Sequence, residues 1–318
     1  MPRPATVLLV LTALLVGLGA SPASAQVSDT TWVVNGKAML KVTGAPVSGT
    51  QKVKGPAVIR FLPGGGFEIE DAAGAAIGGS WSEAEGAGEL TVTVSPSDIL
   101  DFLEENLGVL ASDVDDLEVQ ELESNPKLVV KKSGVGVLTY KLGFVITFRV
   151  DGQDIALRYK LVTKGQYDLT GASAGGETWP LDGKQSYKAP GNKLVETAGL
   201  QLVLGPDGGL ADDRFALRDG VGTTLFTGYF TRVDKKIALL PDASELEDYV
   251  EAWIAPTVAI LFPGGIVSLE AVITRFKATV TKSGGVKFGG KCVFFSVLSR
   301  GPELSGAFKS TYKVGAKG

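Results

Sequence analysis

The chain has 318 residues, 44% of them apolar, with 42 glycines, one cysteine, no histidine and a net charge of −4. Without histidine the Ser-His-Asp and Cys-His nucleophile systems and most zinc, copper and non-haem iron sites are excluded. A lone cysteine forbids an intramolecular disulfide, and no basic run with interleaved aromatics speaks for a nucleic-acid partner.

Residues 1–25 read as a secretory signal. Arg3 supplies a positive start, Val7 to Ala20 an apolar run too short to span a bilayer, and Ala23-Ser24-Ala25 a small-x-small cleavage site before Gln26. No later segment has the length and freedom from charge of a membrane helix. The expectation is an exported protein, periplasmic or extracellular, with no transmembrane segment once the signal is removed. Charge is unevenly spread. Residues 26–175 hold 20 acidic and 13 basic side chains, a net of −7, and residues 176–318 hold 15 and 17, a net of +2.

From residue 26 onward the dominant period is two, the signature of half-buried strands. Four or five strands are expected first. Then the stretch from Ser95 to Leu107 reads as an amphipathic helix, with Ser95 as N-cap, Pro96 at the first helical position, Asp98 at the third, and Leu100, Leu103, Leu107 and Leu110 on one face. Gly108 is a plausible end for it. Asp113, Asp115, Asp116 and Glu118 form the densest acidic cluster, read as an exposed acidic loop rather than a calcium site because the EF-hand glycine and final glutamate are out of register. Three or four longer strands follow. From Leu138 to Val150, Leu138, Tyr140, Leu142, Phe144, Ile146 and Phe148 share one face. Asp151-Gly152 is a two-residue turn signal, and Ile155, Leu157, Tyr159 and Leu161 continue the alternation. Strands of about 13 residues span roughly 40 Å and suit a tilted barrel or strongly curved sheet.

The same order then recurs. Thr31-Trp32 and Gly36-Lys37 parallel Thr178-Trp179 and Gly183-Lys184, and Phe67 to Trp81 parallels Phe215 to Phe230. The first helix is echoed from Asp242 to Ile254, with Asp242 as N-cap, Glu245 closing a capping box, Leu246, Val250, Trp253 and Ile254 on one face, and Pro256 as an interruption. Val272, Phe276, Ala278 and Val280 are assigned one strand face, and Val286, Phe288, Cys292, Phe294 and Leu298 the return strand. The pattern indicates a tandem duplication with loop insertions, one of them Gly208 to Asp213. The expected organisation is a signal peptide over 1–25, a first repeat over 26–172 and a second over 177–318, joined through the small-residue stretch Gly171 to Gly176. The fold class is mainly β with one or two helices per domain: two tandem antiparallel β-barrels, or strongly curved sheets each capped by a helix.

The glycine-containing turn, the alternating strands and Gly79-Ser80-Trp81, with Gly228-Tyr229-Phe230 similar in kind, resemble the meander of small exported lipocalin-like (calycin-type) domains over about 60 residues of each copy. In lipocalins the Gly-x-Trp tripeptide lies on the first strand, whereas here it lies mid-domain, and no binding residue carries over. The resemblance implies an exported non-enzymatic protein holding a small hydrophobic or lipid ligand inside a barrel. The residues that fit such a role are the aromatic stripe Tyr140, Phe144, Phe148 and Tyr159. A structural or protein-interaction module with filled barrels and no small-molecule ligand stays open beside it, because such a stripe also makes an ordinary core. A carboxylate hydrolase is a third reading. Asp98 with Asp101 and Glu245 with Asp248 recur one helical turn apart, but capping already accounts for them. Cys292 alternates with Phe288 and Phe294 and reads as a buried, inert thiol. The two Pro-Gly-Gly stretches at Pro63 and Pro263 lack the Gly-Lys-Ser/Thr ending of a phosphate loop and read as reverse turns. No cofactor or metal is expected.

Overall fold

The computed structural model describes residues 27–44, 48–70, 76–83, 90–94, 115–150, 152–170, 176–189, 192–261, 267–282, 285–298 and 304–313. Eight antiparallel strands make a first sheet: β1 (Thr30–Thr43), β2 (Gly49–Phe61), β3 (Gly66–Glu70), β4 (Ala76–Glu83), β5 (Leu90–Val94), β6 (Asp115–Val130), β7 (Val135–Val150) and β8 (Gln153–Asp168). Its spatial order is β5-β4-β3-β2-β1-β8-β7-β6. Sequence neighbours pair throughout except at β5–β6, and β8 returns to β1. The sheet curls until β5 and β6 lie side by side, and the Ser124 hydroxyl of β6 donates to the Val92 carbonyl of β5 at 2.7 Å.

A second set of eight follows: β9 (Glu177–Ala189), β10 (Asn192–Leu204), β11 (Arg214–Asp219), β12 (Thr224–Val233), β13 (Lys236–Pro241), β14 (Val267–Val280), β15 (Val286–Leu298) and β16 (Leu304–Lys313). These close into a barrel, with β16 returning to β9. Between β13 and β14 runs α1 (Ala243–Leu261). Both sheets therefore run five strands, a connecting segment and three strands, with the last strand paired to the first. The fold is two tandem curled antiparallel sheets, the first nearly closed and the second closed.

The alternation that marks the strands is the packing itself. Along β7, Leu138, Tyr140, Leu142, Phe144, Ile146 and Phe148 are buried, while Lys141 and Thr147 are exposed. On β8, Leu157, Tyr159 and Leu161 are buried, and Arg158 and Lys160 are exposed. The hairpin between them joins Val150 to Gln153 through Gly152, at φ 73°, where a side chain would be strained. Each fully buried side chain of this size contributes about 1.5–3 kcal/mol of transfer free energy. The polarity is the reverse of a membrane-spanning barrel, which faces apolar residues outward. Among the described residues no helix is long and apolar enough to cross a membrane.

The paired motifs Gly79-Ser80-Trp81 and Gly228-Tyr229-Phe230 sit on the fourth strand of their sheets, β4 and β12. A Cβ added to Gly79 would lie 2.2 Å from the Thr93 carbonyl oxygen, and one added to Gly228 would lie 2.2 Å from that of Leu240. Each glycine thus permits a close approach of the fifth strand, β5 or β13, which any side chain would push away.

Three expectations are corrected. The helix does not stop at Pro256 but runs through it to Leu261. Proline leaves the carbonyl of residue 252 without its helical donor, but both Ala252 and Pro256 are exposed, so that group is open to solvent and the cost of the break is small. On β14 a bulge between Ile273 and Arg275 breaks the expected strict alternation, and Ile273, Phe276 and Ala278 are buried. The acidic stretch is not a loop throughout, since Asp115 and Asp116 already belong to β6. The signal segment, the first helix with its Asp98 and Asp101, Asp113, the Pro263 turn and residues 171–175 of the linker lie outside the described residues.

Strand lengths explain where α1 sits. β13 has six residues and pairs β14 only at Lys236 to Ala238 against Lys277 to Thr279. Residues 267–276 of β14 have no partner in β13, and α1 packs against β14 and β12. Leu246, Val250 and Ile254 are fully buried in the barrel's apolar cluster, with Tyr249 and Trp253 packed beside them. The helix therefore closes its apolar face against the core of the second barrel.

The two units touch through β1, β2 and β8 on one side and β12, β13 and β14 on the other. Val33 and Val58 of the first sheet belong to the apolar cluster of the second. The β1–β8 ladder ends at Asn35–Lys164, short of Thr31 and Val33. The Thr231 hydroxyl of β12 accepts from the Val33 N–H at 2.7 Å and donates to the Thr31 carbonyl at 3.3 Å. Tyr229 lies between two guanidinium groups, Arg60 of the first sheet at 5.0 Å and Arg214 of the second at 4.3 Å.

Candidate functional site

The aromatic stripe comes together on the inner face of the first sheet. β7 supplies Tyr140, Phe144 and Phe148, and β8 supplies Tyr159. Phe144 stacks on Tyr159 with centroids 5.1 Å apart, and Tyr140 meets Phe67 edge-on at 5.5 Å. The Tyr140 hydroxyl is 3.3 Å from that of Ser124, the residue that bridges β6 to β5. Exposure is 1% for Tyr140 and Phe144, 3% for Tyr159 and 4% for Phe148. A void of ligand size beside these rings would leave their faces open to a water-sized contact, so the rings are packed against protein.

Phe148 is the member of the stripe that reaches a cleft. With Thr43, Gly44, Glu118, Arg149 and Ile155 it lines about 760 Å³ at the end of the sheet where β1 stops and the β7–β8 hairpin turns. Arg149 and Asp154 pair across that hairpin at 2.9 Å.

A second cleft, of about 670 Å³, lies between the two units. Asp29, Thr31, Tyr167 and Asp168 line it from the first, and Asp212, Asp213, Phe230 and Arg232 from the second. The Tyr167 ring stacks on Trp32 at 5.2 Å. Its hydroxyl is held above the ordinary tyrosine range by burial first, and then by the negative charge of Asp213, Asp168, Asp29 and Asp212. Arg232 is engaged elsewhere, with Glu177 at 3.0 Å and the Asp234 carbonyl at 3.2 Å. Asp168 accepts from the backbone N–H and hydroxyl of Thr170. Sequence reading missed this cleft because its carboxylates come from three separate loops or strand ends. The single local hint was Asp212-Asp213 in the insertion. Among the described residues no three Asp, Glu or Cys side chains approach closely enough to hold a metal.

The remaining candidates have structural roles. Asp242 caps α1, its carboxylate accepting from Ser244 N–H at 3.1 Å and Glu245 N–H at 3.3 Å. The expected capping box is not closed. The Asp242 N–H is taken by the Thr227 carbonyl, and the Glu245 carboxylate crosses to the Thr227 N–H instead. Glu245 therefore ties the helix to β12. Inside the second barrel the buried Gln185 accepts from the Tyr249 hydroxyl at 2.7 Å and donates to Glu196 at 2.9 Å, which joins α1 to β9 and β10. Cys292 is fully buried. Burial, and secondarily the charge of Glu247, pushes its thiol far above the ordinary range, so the nucleophilic thiolate is suppressed.

No protein-family model matches the sequence, and no curated protein does. Three solved structures are similar in part. A protein of Bacteroides fragilis described as an outer membrane protein has 11% identity, 91% of this chain and 99% of that one covered, and a TM-score of 0.20. Kievitone hydratase from Nectria haematococca has 11% identity, coverage of 94% and 95%, and a TM-score of 0.15. A point mutant of the vaccine antigen transferrin binding protein B from Haemophilus parasuis has 8% identity, coverage of 91% and 77%, and a TM-score of 0.22. Likenesses this slight assign neither a family nor an activity to the chain.

Proposed function

We propose that the protein is exported, non-enzymatic and built of two filled barrels that act as scaffolds, with recognition carried out by their outer surfaces and by the cleft between them. The observation that supports this over an enclosed cargo is the exposure of 1–4% along the Tyr140, Phe144, Phe148 and Tyr159 stripe. Phe144 stacks on Tyr159 and Tyr140 meets Phe67 edge-on, which supports an interior filled by its own side chains, as in many small eight-stranded barrels. The absence of histidine from the sequence and the suppressed thiolate of Cys292 support the non-enzymatic part. Mass spectrometry of the natively purified protein tests the reading. The expected result is the bare chain mass and no binding of an environment-sensitive apolar dye. A stoichiometric lipid, or dye binding abolished by Phe144→Ala with the fold intact, overturns it. A small apolar ligand is a second reading at one place, the 760 Å³ cleft that Phe148 and Ile155 help to line.

A further inference from the structure

A group of lysines of the second half of the chain shares one outer face. On β9, Lys184 and Lys188 point outward and are exposed, as is Lys193 on β10, and on β15 Lys287 and Lys291 do the same. The ladders make these one surface. Lys188 lies opposite Lys193. β16 runs between β15 and β9, and its register sets Lys309 opposite Lys291 and Lys313 opposite Lys287. Among the described outward side chains of these strands Asp182 is the one acid.

Like charges placed directly opposite in a sheet are destabilising, and nothing in the packing requires them here. β16 and β9 lie across the ring from β12 and β13, which meet the first unit, so the face is turned away from it; β14, which also meets the first unit, lies outside the face. The acidic cleft lies at the junction, and residues 26–175 carry the net of −7. The molecule is thus polarised, basic at its far side and acidic toward the first unit.

We propose that this face of the second barrel docks on an anionic lipid surface, holding the first unit away from it. The face is convex and broad, four strands at about 4.8 Å spacing, so it suits a layer of charges better than a single small anion, which needs a concave site. Its cations are mostly lysine, compact charges on flexible stems that suit diffuse phosphate headgroups. No aromatic ring is exposed among its described outward side chains, which counts against stacking on single-stranded nucleic acid. Val195, 53% exposed on β10 between Lys193 and Thr197, adds an apolar contact within the basic field. This inference rests on the outer surfaces being the working parts. The two fail separately, because a stoichiometric cargo would overturn the filled-barrel reading and leave vesicle binding untouched.

Co-sedimentation of the full chain with phosphatidylcholine vesicles, with and without phosphatidylglycerol, is the test. Binding is expected to the anionic vesicles only, and to weaken as salt is raised. The combined change Lys184→Gln, Lys188→Gln and Lys193→Gln is expected to weaken binding by about fivefold per charge removed, roughly a hundredfold in all. Lys37→Gln, Lys160→Gln and Lys164→Gln on exposed positions of the first unit make the same change in net charge and are expected to have little effect. All six positions are solvent-facing, and circular dichroism checks that both variants fold. No binding to anionic vesicles, or equal loss in the two variants, overturns the proposal. Retention on heparin without vesicle binding also overturns it and gives the face to a soluble polyanion.

Discussion

Thr231 shows how much one hydroxyl can carry. It serves two backbone groups of β1 that the β1–β8 ladder leaves unpaired, and it does so in a buried position. Thr231→Val keeps the shape and removes both hydrogen bonds. The expected loss, read from urea denaturation, is about 1–3 kcal/mol, the usual cost of stranding buried polar groups. A midpoint unchanged from the native protein would mean that water replaces the hydroxyl. Cys292 makes a pH prediction. Burial raises its pKa in the folded state above the unfolded value, so its contribution is complete below about pH 8.5 and is lost as pH rises through the folded value. Stability is expected to fall from about pH 8.5 upward, and Cys292→Ala to flatten the slope between there and pH 10. Ellman's reagent is expected to react only with the unfolded chain. That this thiol is buried was legible from its alternation with Phe288 and Phe294; that Thr231 would bridge two units was not, since its partners lie some 200 positions away.

Elements differ in how plainly their letters announce them. β7 and β8 were legible because both alternate strictly over a long run and meet at Asp151-Gly152. α1 was legible in its cap and apolar face, but not in its length, because a proline reads as a stop unless its surroundings are known to be wet. The bulge in β14 was invisible, since one inserted residue leaves composition unchanged while reversing every later side chain. Two variants separate what holds α1. Asp242→Ala removes the cap and is expected to cost about 1 kcal/mol. Leu246→Ala opens a cavity where the helix meets the barrel and is expected to cost about 2–5 kcal/mol. Denaturation midpoints that reverse this order would show that the helix is held by its cap and by Glu245 rather than by its apolar face.

As a whole the molecule is two units that share apolar core across their junction. Val33 and Val58 belong by chain to the first and by packing to the second. Calorimetry is therefore expected to show one cooperative transition for the full chain. Val58→Asp places a charge in that shared core and is expected to split it into two, with a loss of several kcal/mol in the unit interface. Two resolved transitions in the unmodified protein would mean that the junction carries little energy. The candidate site belongs to this scale as well. The inter-unit cleft and the basic face exist only because distant strands are brought side by side.

What the amino acids determined alone is the local pattern: period-two strands, their turns, the capped helix, and the exclusion of histidine and disulfide chemistry. Each depends on residues within a few positions of one another. Tertiary structure alone decided that the stripe of Tyr140, Phe144, Phe148 and Tyr159 is buried in the core of the first sheet, that Asp29, Asp168, Asp212 and Asp213 face one cleft, and that the lysines of β9, β10 and β15 form one surface. Whether rings enclose a space, and which charges become neighbours, is set by strand register and closure, and those depend on contacts between residues far apart in the chain.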